Sequence, residues 1–255
     1  MKPYLSIVIP AYNEANNFRD GLLKPATDYL AKQKYPWEVI FVNDGSTDDT
    51  EKLLTAFCRA NSDYQLLTIP HGGKAAAVTA GMLVAKGEIV LFTDFDQSTP
   101  LSQIEKFIES HENGSDIVIG DRGVMDKMNN TFFRRFRSWV FLTLVQLVLL
   151  PGIRDSQCGF KSFKQKYIKK IFSNLKVTNT GIVTGGYMGA FDVEALFLGR
   201  KLKCKIAQVA VEWNKVEGTR LNPVLEPIKM AIDVFKVRIF DILGKYDNLT
   251  NAVKA

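Results

Sequence analysis

The sharpest chemical feature of the sequence is Thr93-Asp94-Phe95-Asp96, two carboxylates at i and i+2 directly after the apolar run 89–93. Carboxylates splayed at a strand end can hold one Mg2+ or Mn2+ together with phosphate oxygens, because these hard cations take oxygen ligands. A metal so placed neutralises charge on a leaving phosphate group. The competing reading is a turn with two exposed acids, since D-x-D is frequent by chance. Position favours the metal, because two polar clusters follow apolar runs upstream. These are Pro10-Ala11-Tyr12-Asn13-Glu14 and Asn43-Asp44-Gly45-Ser46-Thr47-Asp48. Near helix N-termini, where free backbone N–H groups favour anions, such clusters suit a nucleotide. An Asx turn with a helix cap explains part of the same pattern. His71-Gly72-Gly73-Lys74 opens an Ala-rich stretch. Glycines before a lysine at a helix start can cradle a phosphate, although the spacing is not that of a P-loop and a capping loop would look alike.

The elements that must position these groups read as alternating strands and helices. Residues 5–10, 37–43, 89–93 and 117–119 are short, continuously apolar runs rich in β-branched residues, the pattern of strands covered on both faces. Between them, 16–33, 47–60, 74–86 and 100–112 read as helices, with polar breaks at 61–65 and 114–116. This rhythm predicts an α/β fold with a doubly wound, mainly parallel sheet, whose ligands sit at the carboxyl ends of its strands. After Arg122 the rhythm changes. A basic stretch leads into the apolar helix 139–150, then come a Gly-rich segment at 181–189, a half-exposed strand at 206–213 and an amphipathic helix over about 227–243. No repeat or linker interrupts the chain. We expect one domain over 1–255, with 1–125 as the nucleotide-binding half and 126–255 as the half that binds a second ligand and carries any membrane-interface helices.

The net charge of +6 over 255 residues favours anionic partners such as nucleotides and lipid phosphates. The basic residues lack the interleaved aromatics of a single-strand groove, so no nucleic acid is expected. Cys58, Cys158 and Cys204 are far apart, and His71 and His111 are the two histidines. Neither structural zinc nor a disulfide framework is expected, and a reducing, cytosolic setting fits. Residues 1–4 run straight into strand-like sequence, without the pattern of a signal peptide. The apolar run 139–150 falls short of the roughly 20 residues a spanning helix needs. It reads as a buried or interfacial helix.

Taken together, PAYNE, NDGSTD and DFD resemble the family 2 glycosyltransferases of the GT-A fold. Further on, GIRDSQCGFK at 152–161, FDVE at 191–194, EWN at 212–214 and EGTR at 217–220 resemble the dolichyl-phosphate β-glucosyltransferases. The resemblance implies a nucleotide-sugar donor with Pro10, Ala11, Tyr12, Glu14 and Asp44 around the nucleoside, and Lys74 and Asp94 also in the donor site. Asp94 and Asp96 would lie at the ribose, metal and diphosphate. It further implies transfer of a sugar, with glucose from UDP-glucose the first choice, onto a polyprenyl phosphate with inversion. Phe95, Gln97-Ser98 and Gly120-Asp121-Arg122 depart from the family's usual residues at those places, as does Met188-Gly189-Ala190 before Phe191.

Elementary chemistry supports a phosphate acceptor independently. A sugar hydroxyl must lose a proton during attack and needs a placed base. A phosphomonoester, whose second pKa is about 6, is already anionic at neutral pH. Such an enzyme needs cations to hold the acceptor, and Arg122, Arg134, Arg135, Arg137, Arg154 and Lys161 are the candidates. A solvated basic helix face is the plainer reading of that cluster. Asp96, Arg122 and Asp192 are the catalytic candidates, with Asp192 the base if the acceptor is a hydroxyl. Asp155, Gln157, Asp192 and Glu194 otherwise read as groups that position cations or cap a helix. Alternatives are a hydroxyl acceptor and a nucleotide-sugar-binding module without catalysis. Ile228, Ile232, Phe235, Ile239 and Leu243 form one stripe with Lys229, Lys236 and Lys245 elsewhere. A basic amphipathic helix can lie in a membrane interface, and the same stripe could equally pack on the sheet as core. The expected location is peripheral, at the cytoplasmic face of a membrane.

Overall fold

The structure is a computed structural model that describes residues 2–123, 132–177, 190–214 and 225–251, and their side chains apart from 132–138, 225–227 and 250–251. Its centre is a seven-stranded sheet of order β3-β2-β1-β4-β6-β5-β7. The strands are β1 (Leu5–Ala11), β2 (Trp37–Asp44), β3 (Tyr64–Ile69), β4 (Ile89–Phe92), β5 (Ile117–Asp121), β6 (Lys161–Lys164) and β7 (Ile206–Ala210). All pair in parallel except β6, which runs antiparallel to both β4 and β5. The predicted α/β fold with a mainly parallel sheet is the fold observed.

Helices cover both faces. On one face lie α2 (Lys24–Leu30), α3 (Thr50–Ala60) and α5 (Ile104–Glu112), over a core of Ile7, Ile9, Phe41, Leu54, Phe107 and Phe160. On the other lie α4 (Gly73–Val84), α6 (Phe132–Val148), α7 (Gln165–Phe172), α8 (Phe191–Lys201) and α9 (Leu225–Ile242), over Val8, Val42, Phe92, Phe163 and Leu196. Two short helices, α1 (Ala15–Arg19) and α10 (Asp247–Asn251), complete the set. Burial on both faces is why strands β1, β2 and β4 read as unbroken apolar runs.

Three expectations need correction. The helix expected at 16–33 is two short helices, α1 and α2, parted at Gly21, whose φ of 75° no helix accommodates. The break expected at 61–65 holds over 61–63 and ends where β3, an edge strand with half-exposed residues, begins at Tyr64. Lys161–Lys164 was not expected to be a strand at all, yet it sits inside the sheet between β4 and β5. Residues 181–189 and 217–220 lie outside the described residues.

The sheet brings the predicted clusters to one edge. Ala11 pairs with Asn43 and Val8 with Phe92, so β1, β2 and β4 all end on the same side. Because β6 is reversed, its first residue, Lys161, lies beside Phe92 and Ile119 at that same edge. Helix α4 approaches closely because it is small-sided. A Cβ at Gly81 would lie 2.3 Å from Val8 Cγ1 and 2.8 Å from Val42 Cγ2. Its Ala-rich sequence therefore reflects packing, and that packing sets the height of Gly72, Gly73 and Lys74 over the sheet.

Candidate active site

The first two loops are joined by hydrogen bonds. Thr47 N donates to Asn13 Oδ1 at 2.8 Å, Asn13 N to Ser46 Oγ at 3.0 Å and Glu14 N to Thr50 Oγ1 at 2.7 Å. Asn13 takes a positive φ of 54° to do so, a conformation asparagine tolerates better than most residues. Pro10 and Ala11 close β1 immediately before. The Glu14 carboxylate accepts from Asn17 at the start of α1. Tyr12 stacks on His71, ring centroids 4.3 Å apart and planes within 23°. His71 was not singled out as a site residue from sequence, and no local pattern marks its contact with a tyrosine fifty-nine positions earlier.

Asp44 is committed to the third loop. Its buried carboxylate accepts from Gly72 N at 2.7 Å and Gly73 N at 2.9 Å, with His71 Nδ1 2.9 Å away. Expected at the nucleoside, it here caps α4 and shapes the loop beside Tyr12, so its oxygens already serve backbone donors.

Phe95, between Asp94 and Asp96, is buried in the core, and the charges of both acids act on Lys74. Phe95 is 3% exposed and lies 6.3 Å from Phe41, centroid to centroid. Burial of such a ring contributes about 1.5–3 kcal/mol, which anchors the splay of the two acids. Asp96 accepts from Ser98 N at 2.9 Å, and Ser98 O in turn accepts from Asn214 N at 2.7 Å. The residue after Asp96, Gln97, has a φ of 51° and leaves its side-chain oxygen buried with no hydrogen-bond partner. The two acids suit a hard divalent ion, the rest of whose shell a diphosphate and water would supply. Among the described residues no cluster of three acidic, histidine or cysteine ligands exists.

Lys74 Nζ forms an ion pair with Asp94 Oδ1. Burial alone would lower the lysine's pKa, but the charge and hydrogen bond of Asp94, helped by Asp192 and Asp96, hold it above its ordinary value. The other side of Asp94 rests on Gly159: a Cβ there would lie 2.1 Å from Asp94 Oδ2. We therefore expect Gly159→Ala to cut transfer about a hundredfold, since a misplacement of about 1 Å at a site has that cost. The melting temperature should move far less, and steady-state rates beside thermal melts check it. An equal loss in both would point to a folding defect.

The side expected to meet an acceptor centres on Arg122, just past β5. Its Nε donates to Asp155 Oδ2 at 2.7 Å and its NH2 nitrogen to Asp155 Oδ1 at 2.9 Å, while the backbone N adds a third bond at 3.1 Å. The guanidinium lies 5.7 Å from the Trp213 ring centroid, within cation–π range. Burial pushes the Asp155 carboxyl up, but Arg122's charge and hydrogen bonds more than offset this and hold it below the usual range. Gln157 N donates to the same carboxylate at 3.1 Å. Arg154, two-thirds exposed, pairs with Asp121 at 3.0 Å.

Lys161 overturns one expectation. Placed from sequence among the acceptor-phosphate cations, its side chain is 0% exposed and bound to Cys158 O and to Asp192 Oδ2, the latter at 3.0 Å. It acts from beneath the site. Asp192, at the start of α8, also accepts from Val193 N at 2.9 Å. Glu194 is fully buried and accepts from Lys176 N, Val177 N and Tyr246 Oη, which makes it a structural group. The side chains of Arg134, Arg135 and Arg137 lie outside the described residues.

Charges thus alternate across the site: Asp94 with Lys74, Asp192 with Lys161, Asp155 with Arg122. Sequence reasoning named the members of this series but not their pairing, and it missed Gly159 as the seat of Asp94.

A separate surface lies on α9. Met230, Val234 and Val237 form its buried face, whereas Ile228, Ile232, Phe235, Ile239 and Leu243 are each about half exposed or more. The stripe does not pack on the sheet. Trp139 and Leu147 of α6, which packs against α9, are exposed too. Among the described residues no helix is long and apolar enough to cross a membrane.

Comparison with known proteins accords with this geometry. Residues 6–172 match the model of Glycosyl transferase family 2. Dolichyl-phosphate beta-glucosyltransferase ALG5A of Trichomonas vaginalis is 36% identical over 254 residues, spanning 95% of this chain and 75% of the relative. The dolichyl-phosphate beta-glucosyltransferase of Homo sapiens is 30% identical over 259 residues, spanning 95% and 77%. The mannosyltransferase PcManGT from Pyrobaculum calidifontis, in complex with GDP-Man and Mn2+, shares the fold with a TM-score of 0.53 at 17% identity, over 100% of this chain and 76% of its own. The chain belongs to glycosyltransferase family 2, as a glycosyltransferase similar over nearly its whole length to dolichyl-phosphate β-glucosyltransferases.

Proposed function

We propose that the protein transfers glucose from UDP-glucose, with inversion and with Mg2+ or Mn2+, onto a polyprenyl phosphate such as dolichyl phosphate. The observation that carries this reading is the division of labour in the alternating charge series. Both oxygens of Asp192 already accept hydrogen bonds, from Lys161 and from Val193, so a hydroxyl would meet a carboxylate whose charge is already paired with a buried cation. Arg122, oriented by Asp155 and Trp213, presents a fixed cation instead. An acceptor that arrives with an anionic oxygen suits a cation and needs no base. The names of the relatives support the same donor and acceptor.

In this reading Tyr12 and the loop capped by Asp44 hold the nucleoside, with Pro10, Ala11 and Glu14 shaping that pocket. Asp94 and Asp96 would hold the metal, which supplies charge neutralisation to the departing nucleoside diphosphate. The Mn2+ in the complex of the mannosyltransferase of like fold is consistent with that assignment. Arg122 orients the lipid phosphate for in-line attack on the anomeric carbon. The exposed α9 stripe, with Lys229 and Lys236 on the same helix, rests on the membrane that carries the lipid, at its cytoplasmic face.

The test is transfer of labelled sugar from UDP-glucose or GDP-mannose into the lipid phase with polyprenyl phosphate, with Mn2+ or with chelator. We expect metal-dependent label from UDP-glucose, lost in Asp96→Ala. In flotation with anionic phospholipid vesicles, the double variant Ile232→Asp, Phe235→Asp should bind at least about tenfold more weakly. Donor binding without label in the lipid phase would remove the lipid acceptor and return attention to a hydroxyl.

A further inference from the structure

We propose that Lys74 is a built-in counter-cation of the Asp94–Asp96 pair, which the divalent ion displaces from Asp94 and which then holds an oxygen of the donor's diphosphate. Metal and diphosphate would then bind together and not singly. Lys74 is a positioning residue in this scheme, and the inference rests on the metal-dependent donor site proposed above.

Three features of the site carry it. First, access to Asp94 is narrow. One oxygen faces the Lys74 ammonium, and the other rests on the Gly159 backbone so closely that no Cβ would fit. An ion approaching the Asp94 carboxylate therefore competes directly with Lys74. Second, displacement does not leave the ammonium without partners. The charges of Asp192 and Asp96 act on it as well, so it can leave Asp94 and stay at the site. Third, the two glycine amides at the start of α4 are already engaged. Gly72 N and Gly73 N, the amides that would ordinarily cradle an anion there, already donate to Asp44. The charged group at this corner is the Lys74 side chain, one residue further on, which is about one-fifth exposed.

Charge balance gives the direction of the coupling. Asp94, Asp96 and Lys74 together carry one net negative charge. A divalent ion alone would make the cluster positive while crowding Lys74, and a diphosphate alone would meet two carboxylates. Each ligand is poorly suited without the other, and the two together restore the balance. By linkage, the diphosphate must tighten metal binding by the same factor as the metal tightens diphosphate binding.

The test measures Mn2+ binding by the paramagnetic resonance of free Mn2+, with and without UDP, in the whole protein and in Lys74→Gln and Lys74→Arg. No acceptor is present, so failure of lipid transfer would leave the result untouched. In the unaltered protein, UDP should tighten Mn2+ binding by about tenfold or more, and Mn2+ should tighten UDP binding equally. Lys74→Gln should bind Mn2+ alone about tenfold more tightly and lose most of that synergy. Lys74→Arg should keep both properties of the unaltered protein. If Lys74→Gln melts normally yet binds Mn2+ alone no more tightly, the inference is overturned. Should the variant not fold, absence of synergy in the unaltered protein overturns it equally. No Mn2+ bound even with UDP would remove the metal site itself, and this inference with it.

Discussion

Asp94→Asn is expected to slow sugar transfer by at least about a thousandfold, equivalent to roughly 4 kcal/mol of transition-state stabilisation. The substitution keeps the shape of the side chain, so it can still rest on Gly159. It removes the charge that pairs with Lys74 just past the end of β4. A metal that polarises a phosphoryl oxygen is worth several kcal/mol, and loss of one of its two carboxylates should forfeit most of that. The fold should survive, because Phe95 and not Asp94 anchors the loop in the core. Asp96→Asn should be comparably inactive, but with an additional effect on the loop, since Asp96 also accepts from Ser98 N. Rates measured across a Mn2+ titration check the prediction. A loss below about tenfold that excess Mn2+ does not alter would show that Asp94 is no ligand.

Arg122→Met should cost both stability and acceptor use. It leaves Asp155, whose side chain is 11% exposed, without its ion-pair partner. Breaking a buried pair from one side costs about 3–5 kcal/mol, and the partial exposure of Arg122 places this case near the lower end. Arg122→Met with Asp155→Leu should recover most of the stability, because the uncompensated charge is gone. Transfer should stay lost in both, if the cation itself holds the lipid phosphate. Recovery of transfer in the double variant would assign Arg122 a structural role only.

The same pair has a signature in pH. Asp155 titrates below its ordinary value of 3.8 in the folded protein, so it binds fewer protons there than in the unfolded chain. Its contribution to stability is present in full above that ordinary value and is lost as pH falls below it, towards the lowered folded value. In Asp155→Asn this part of the acid dependence should vanish, which denaturant titrations between neutral pH and about pH 3 would show.

Much of the architecture was legible because its signals are local. Continuous apolar runs mark strands buried on both faces, and β1, β2, β4 and β5 appeared where such runs stand. Acidic clusters just past those runs marked the strand ends, and a parallel sheet collects its strand ends on one edge. Glycine conformation was less legible. Gly21 lies within a helix-like pattern, and only the fold around it shows that the chain turns there. Strand β3 escaped because an edge strand need not be apolar on both faces.

What the tertiary structure alone decided is pairing. KSFK reads as a polar tetrapeptide, yet β6 is threaded between β4 and β5, and this burial turns Lys161 from a surface cation into the partner of Asp192 thirty-one residues on. The seat of Asp94 on Gly159, sixty-five residues away, has no trace in local spacing either. The outward face of α9 was likewise open from sequence, since one amphipathic pattern fits both core and membrane surface. Met230, Val234 and Val237 took the inner side, which leaves the stripe facing outward. Residue type and period report the environment of each residue along its own element, and so the sequence determined the sheet, the edge and the carboxylate pair. Contacts between elements depend on how the sheet is ordered, and only that order decided which charge faces which.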